Sequence, residues 1–217
     1  MVRTFITLPT VPPKELPSEF RFDVRSSEAL VELLLREFTH AGDVVFDPFA
    51  GFGTTLVVAE RMGRVPVGIE LNSRHAAYAR SLLHHPGSLI EGDSRQLASY
   101  QLPPFDLSLT SPPFMCRGDA EDPLAAYAGP GAGYEQYLQG LQDIYRQVSG
   151  LMKPNARAIL AVANLKRPGQ VTTLAWDVAG AIGGVMHFEG EIVIGGEGSP
   201  AFYGYDHSYC LVFSRYS

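Results

Sequence analysis

Cysteine is scarce in this chain of 217 residues: Cys116 and Cys210 alone, too few for a disulfide framework. Both read as free thiols, which points to the cytoplasm. No apolar run approaches the roughly 18–20 residues that a membrane-spanning helix needs, so no membrane role is expected. The opening stretch, MVRTFITLPTVPPKELP, has no apolar run followed by a small-residue cleavage site and does not read as a secretion signal. The six histidines show no paired metal-ligand spacing, and no metal site is expected. A basic excess is missing too. Lys and Arg number 17 against 23 acids, a net charge of −6, whereas most nucleic-acid-binding domains carry a positive footprint. The balance weighs against such binding but leaves room for a local basic face. Arg61, Arg64, Arg74, Arg80, Arg95, Arg117, Lys166 and Arg167 either build that face or are scattered, solvated charges.

What the chain does have is an ordinary apolar fraction, 46%, enough for the core of a single domain over 1–217. The first 17 residues hold four prolines and no periodicity, and they read as an extended arm. Ser26, Ser27 and Glu28 mark a helix start, with a hydroxyl cap and an acid in the first turn. Leu30, Leu33, Leu34 and Phe38 give that helix an apolar stripe, and Gly42 follows its end.

Strand and helix signals then alternate. Strands are predicted at 44–46, 65–71, 89–91, 105–110 and 158–163, and helices at 54–62, 73–84, 134–148 and 172–182. Two closing strands, 188–194 and 209–213, have no helix between them and should pair antiparallel. This alternation predicts an α/β fold with a mostly parallel sheet and helices on both faces. Two stretches escape the pattern, 115–133 and 195–207. Each follows a strand placed as parallel, so both should emerge at the carboxyl edge, where open α/β sheets bind ligands.

The chemistry concentrates in two motifs. The first is DPFAGFGTT, Asp47, Pro48, Phe49, Ala50, Gly51, Phe52, Gly53, Thr54 and Thr55, at the end of an apolar strand. Gly51 and Gly53 let backbone pass close under a ligand, and Thr54 and Thr55 open a helix whose first amides face the same space. A dinucleotide loop reads G-x-G-x-x-G; here the third glycine is absent, which fits a ligand without a pyrophosphate. Glu70 ends the second strand and can accept hydrogen bonds from two ribose hydroxyls; Asp93 follows the third and can accept from an adenine amine. Leu71 and Ser94 adjoin them and complete the cofactor-binding set. Taken singly, each acid is also what a strand-end carboxylate in water looks like.

The second motif is Ser111, Pro112, Pro113 and Phe114, at the end of the fourth strand. In isolation it is a rigid turn. It also resembles the motif with which base amino-methyltransferases handle an exocyclic amine, whose lone pair is delocalised into the base ring. The Ser111 hydroxyl and the Pro112 carbonyl can accept the amine's two protons and aim the lone pair. Consecutive prolines fix φ and hold those acceptors with little entropy left to lose. Phe114 offers a face on which an extruded base can stack.

In this order and spacing the two motifs resemble the class I S-adenosyl-L-methionine methyltransferases that methylate exocyclic amines of bases in DNA. The resemblance extends over nearly the whole chain. It implies a Rossmann-like fold, with a mostly parallel seven-stranded sheet, an antiparallel closing hairpin and helices on both faces. It implies S-adenosyl-L-methionine as cofactor, with Asp47 near its methionine end and the segment 22–27 and the following helix closing over that end. Ser111, Pro112, Pro113 and Phe114 match the family's [Asp/Asn/Ser]-Pro-Pro-[Tyr/Phe/Trp] catalytic motif. Members with Ser at the first position are mostly similar to cytosine-N4 enzymes, so DNA is the expected partner and N4 of cytosine the expected target. RNA is a weaker expectation, and a subunit inactive without a partner is the rival from another class.

Cytosine-C5 enzymes place their cysteine after a single proline, so Cys116 reads as a bystander. The family's sequence-reading members carry a long recognition region, and this chain has little to spare. Specificity then falls to the loops 115–133 and 195–207, to a homodimer, or to a partner protein. Tyr203, Tyr205 and His207 either contact a flipped base or form a packed aromatic cluster.

Overall fold

The computed structural model describes residues 4–8, 18–20, 26–127, 129–196 and 204–216. Among the described residues, ten strands and five α-helices follow one another as β1 (Phe5–Leu8), α1 (Glu28–Phe38), β2 (Val44–Asp47), α2 (Thr54–Arg61), β3 (Val65–Glu70), α3 (Ser73–Leu82), β4 (Leu89–Glu91), β5 (Phe105–Thr110), α4 (Tyr134–Gly150), β6 (Met152–Val162), β7 (Leu165–Arg167), β8 (Gln170–Thr172), α5 (Leu174–Gly183), β9 (His187–Gly196) and β10 (His207–Ser214). Eight strands form one sheet in the order β1-β9-β10-β6-β5-β2-β3-β4; β7 and β8 make a separate hairpin.

Alternate residues of the central strands bury on opposite faces, as the two-residue period of a strand requires. Phe46, Ala158, Leu160, Leu211 and Phe213 face the core under α4 and α5. Val45, Leu107, Leu109, Ile159, Cys210 and Val212 face the core under α1 and α2. Coverage on both sides explains why β2 and β5 read as near-continuous apolar runs. α3 packs on α2 through Ala76, Ala79 and Leu56.

Strands β2 to β6 run parallel in neighbouring pairs, so their carboxyl ends share one edge. From β2 the chain goes outward to β3 and β4, then returns to β5 on the other side of β2. The order therefore reverses between β2 and β5, and a crevice opens at their carboxyl ends. Asp47 ends β2 and Ser111 follows β5, one on each side of that point.

Three expectations change. The sheet has eight strands rather than seven, because residues 5–8 of the predicted arm add an edge strand parallel to β9, with Phe5 opposite Val193. An arm with no periodicity can still pair through its backbone, which the side-chain pattern does not encode. Ser27 stands at the N-cap of α1, but its side chain makes no capping bond. The hairpin β7–β8, around a Pro168-Gly169 turn, lay between predicted elements. The closing pair β9 and β10 is antiparallel as expected. Among the described residues no helix is long and apolar enough to cross a membrane.

Candidate active site

A cleft of about 720 Å3 lies at the crevice between β2 and β5. Asp47, Pro48, Phe49, Ala50, Gly51, Thr54 and Thr55 border it from the first motif, Glu70 and Leu71 from the end of β3, Asp93 and Ser94 from beyond β4, and Ser111, Pro112, Pro113 and Phe114 from beyond β5. Three crossovers thus bring together four strand ends that lie up to 67 positions apart in the chain (Asp47 to Phe114).

Gly53 does not border the cleft. It caps α2 in a left-handed conformation, φ +77°, and a Cβ there would stand 2.8 Å from that of Ala79. Its job is close packing of the loop on α3. Gly51 is the residue at the cleft: φ is +52°, and a Cβ would meet nothing nearer than the Phe49 carbonyl at 4.0 Å, so that space is open.

The loop is stitched to the next strand. The Gly51 amide donates to Glu70 Oε2 and the Asn72 amide to Glu70 Oε1, each at 2.7 Å. The Ala50 amide donates to the Ile69 carbonyl at 2.9 Å. Buried Ser94 donates its hydroxyl to the Pro48 carbonyl, which makes it an anchor for the loop. Asp47 is 3% exposed and accepts from the Phe49 amide at 3.0 Å. Burial pushes its carboxyl up to about 6, against the opposing pull of Thr110, Thr55 and the Phe49 amide; the charge of Glu70 adds to the rise. Burial also works to raise Asp93, but Arg95 overcomes it. Its guanidinium grips both carboxylate oxygens at 2.7–3.0 Å and its amide donates to Oδ1, holding Asp93 below the usual carboxylate range.

Several residues of the cleft carried no sequence signal. Phe20, from a short turn at Ser18–Phe20, closes one flank by packing edge-on against Phe52 at 5.1 Å and His75 at 5.5 Å. Ser26 also borders the cleft; residues 22–25 lie outside the described residues. Across from Phe20, Pro123, Leu124, Ala126 and Tyr127 form the rim beside Phe114. They belong to the stretch 115–133, expected to face the ligand, though nothing singled them out within it.

Cys116 is buried, and burial and the charge of Asp119 raise its thiol above the ordinary value; it lies outside the cleft lining. Two of the candidate basic residues, Arg74 and Arg95, border the cleft, and most of the others are paired with acids. Arg61 pairs with Glu28 and Glu32, Arg80 with Glu91, Arg95 with Asp93, Arg117 with Asp177, and Arg167 with Asp119, while Arg64 donates to carbonyls of Leu35, Thr39 and Met62. Tyr205, His207, Tyr209 and Trp176 form an aromatic row with centroids 4.9–5.6 Å apart, the packed alternative. Tyr203 lies outside the described residues.

A family model described as DNA methylase matches residues 7–81, which hold the glycine loop and Glu70 but stop short of Ser111. A Type II methyltransferase of Streptococcus pneumoniae, M2.DpnII, is 43% identical over 56 residues, 26% of this chain and 21% of that protein. The DNA adenine methyltransferase YhdJ of Escherichia coli (strain K12) is 46% identical over 48 residues, 22% of this chain and 16% of that protein. The chain thus spans about a fifth of the length of these curated relatives. A TehB-like SAM-dependent methyltransferase of Corynebacterium glutamicum superposes with a TM-score of 0.57 at 13% identity, over 86% of this chain and 87% of that one.

The chain has the Rossmann-like class I methyltransferase fold.

Family match and fold together indicate S-adenosyl-L-methionine as methyl donor. The cleft fits it. Gly51 leaves open space beside the first turn of α2, and Asp47, Glu70 and Asp93 place three carboxylates along the wall, suited to a ligand with cationic and hydroxyl groups.

Proposed function

We propose that this protein transfers a methyl group from S-adenosyl-L-methionine to an exocyclic amine of a base in DNA, N4 of cytosine first. The observation that carries the reading is that Ser111, Pro112, Pro113 and Phe114 border the same cleft as the glycine loop and Glu70. A donor held at one end of that cleft and an acceptor held at the other share one space.

When bound, S-adenosyl-L-methionine supplies an electrophilic methyl group. Glu70 orients the ribose hydroxyls while it ties down Gly51, and Asp47 balances positive charge at the methionine end. Asp93 serves the adenine amine through acceptor capacity left beside Arg95. Ser111, exposed at the cleft mouth, and the Pro112 carbonyl accept the two amine protons, and the Phe114 face stacks on the extruded base. Such stacking is worth about 1–3 kcal/mol per base. When the nitrogen attacks first and sheds its proton to water afterwards, the site needs no strong general base. Among the described residues around the Ser111 end of the cleft, Pro112, Pro113, Phe114, Pro123, Leu124, Ala126 and Tyr127, none is a carboxylate or an imidazole.

Ser111 at the head of the motif favours cytosine. Adenine is the second reading, favoured by the match to a DNA adenine methyltransferase. With most of these cations paired to acids, duplex binding falls to a few local contacts, and so to loops 115–133 and 195–207, a second copy or a partner protein.

A methyl-transfer assay with labelled donor against duplex DNA, single-stranded DNA and total RNA tests the reading, with products digested to nucleosides and identified by mass spectrometry. N4-methylcytosine from DNA is the expected product. N6-methyladenine would move the target and keep the reaction. Label only in RNA would replace the substrate class. No label with the donor bound would reject the reading for the chain on its own.

A further inference from the structure

The Ser-Pro-Pro-Phe segment has little backbone of its own to hold it. Pro112 and Pro113 carry no N–H, so neither can donate to a ladder or a turn. The hold comes through the carbonyls. That of Pro113 accepts from the Tyr137 hydroxyl at 2.8 Å, and that of Phe114 accepts from the Tyr127 hydroxyl at 2.8 Å. These carbonyls belong to the two peptide planes that flank the Phe114 Cα. Holding both planes holds φ and ψ of Phe114 and with them the direction of its Cα–Cβ bond, from which the ring projects. With φ of Pro113 locked by the pyrrolidine ring, ψ of Pro113 is the one torsion between the Pro112 carbonyl and the plane that Tyr137 holds. The Pro112 carbonyl is therefore closely coupled to the Tyr137 bond.

The two tyrosines come from different surroundings. Tyr137 lies in the first turns of α4 and is buried. Tyr127 stands on the cleft rim, 44% exposed. Its backbone and that of Ala126 have φ of +58° and +52°, a conformation that residues other than glycine seldom adopt. A position so disfavoured persists when its surroundings determine it, and such positions gather at functional sites. Here the Tyr127 amide is held by the Asp122 carbonyl at 2.9 Å and its hydroxyl by Phe114.

We infer that Tyr137 and Tyr127 are positioning residues for the transfer, clamping the two peptide planes around Phe114 so that its ring and the Pro112 carbonyl keep their aim on the target amine. The inference rests on the base-methylation reading of the cleft. Neither hydroxyl exchanges a proton with substrate. Burial keeps the Tyr137 phenol well above its ordinary value, so it donates throughout the working range.

Tyr137→Phe and Tyr127→Phe each remove one oxygen and keep the ring. Misplacement of a reacting group by about 1 Å costs roughly a hundredfold in rate, so kcat should fall about ten- to hundredfold in each variant. Donor affinity by isothermal titration should stay within about twofold, and the pH–rate profile should keep its shape. The exposed Tyr127 variant keeps the test open if the buried one does not fold. Wild-type kcat in Tyr127→Phe, with or without a lowered Tm, overturns the clamp and leaves the base-methylation reading standing. A changed pH profile overturns it in favour of proton transfer. A wild-type protein that binds donor but methylates no base removes the underlying reading, and the clamp with it.

Discussion

Replacing Asp47 with asparagine removes a carboxyl that folding has placed at a cost. Asp47 is 3% exposed, and burial raises it from 3.8 to about 6. Because the folded value lies above the unfolded one, the folded state holds the proton more tightly. Below about pH 4 both states are protonated and no penalty arises. As pH climbs, the unfolded chain ionises first, and by pH 7 the folded protein must carry the charge buried. Stability therefore falls with rising pH between about 4 and 6. A displacement of roughly two units, at about 1.4 kcal/mol each, makes that loss about 3 kcal/mol. Asp47→Asn lacks this slope. Other titrating groups are common to both proteins, so they cancel in the difference. Urea unfolding of wild type and variant from pH 4.5 to 7.5 should show the variant gaining relative stability as pH rises. Parallel stability curves, or a wild type that gains on the variant, would refute the burial argument. The donor responds in the opposite sense. Its sulfonium and ammonium favour the ionised carboxyl, so wild-type affinity should strengthen as pH rises through about 6, and the variant should show no such rise.

Phe114→Ala should keep donor affinity and lose about five- to hundredfold in turnover, matching the stacking energy of one base; unchanged turnover in the labelled-methyl assay removes the stacking role. Ser111→Ala should lower kcat with donor affinity intact, and a wild-type rate would mean that another group accepts the amine proton. Gly53→Val forces a side chain into a left-handed position 2.8 Å from the Ala79 Cβ and should lower stability by about 2–4 kcal/mol in urea unfolding. Glu70→Gln leaves one of its two backbone amide donors facing an NH2 group. It should weaken donor binding at least tenfold by isothermal titration; equal affinity would show that Glu70 serves the loop alone.

How much of this was legible beforehand differs by kind of residue. The alternation of apolar runs with 3.6-residue stripes marks the central strands and helices, because each is paid for locally by the face it buries. β5 at 105–110 and β4 at 89–91 match the predicted bounds, whereas β6 begins at Met152, six positions ahead of the predicted 158. Edge strand β1 escaped because it is only four residues long, too short for a pattern to stand out, although Ile6 and Leu8 pack on the core. Tyr137 lies within the helix predicted at 134–148; that its hydroxyl also reaches Pro113 depends on where α4 lies against the β5 loop.

Glycines show the same division. The chain placed Gly51 and Gly53 in one loop with one apparent duty, and the packed protein gives them two, since only the position of α3 turns Gly53 into a contact with Ala79. Ser94 and Asp93 were marked for the ligand by their distance from the glycine loop. In the folded protein Ser94 anchors Pro48, and Asp93 is gripped by Arg95.

Local order, meaning the strand ends, the glycine loop and the rigid Ser-Pro-Pro-Phe turn, follows from residue types and spacing, because those interactions act within a few positions of the chain. The cleft itself does not. It exists because the strand order reverses between β2 and β5, which sets Asp47 opposite Ser111, draws Phe20 and Tyr127 to its flanks, and buries a carboxylate deeply enough to raise it to about 6. Those outcomes belong to long-range packing and desolvation, which depend on neighbours remote in the chain and so leave no periodicity for a reader of the sequence to find.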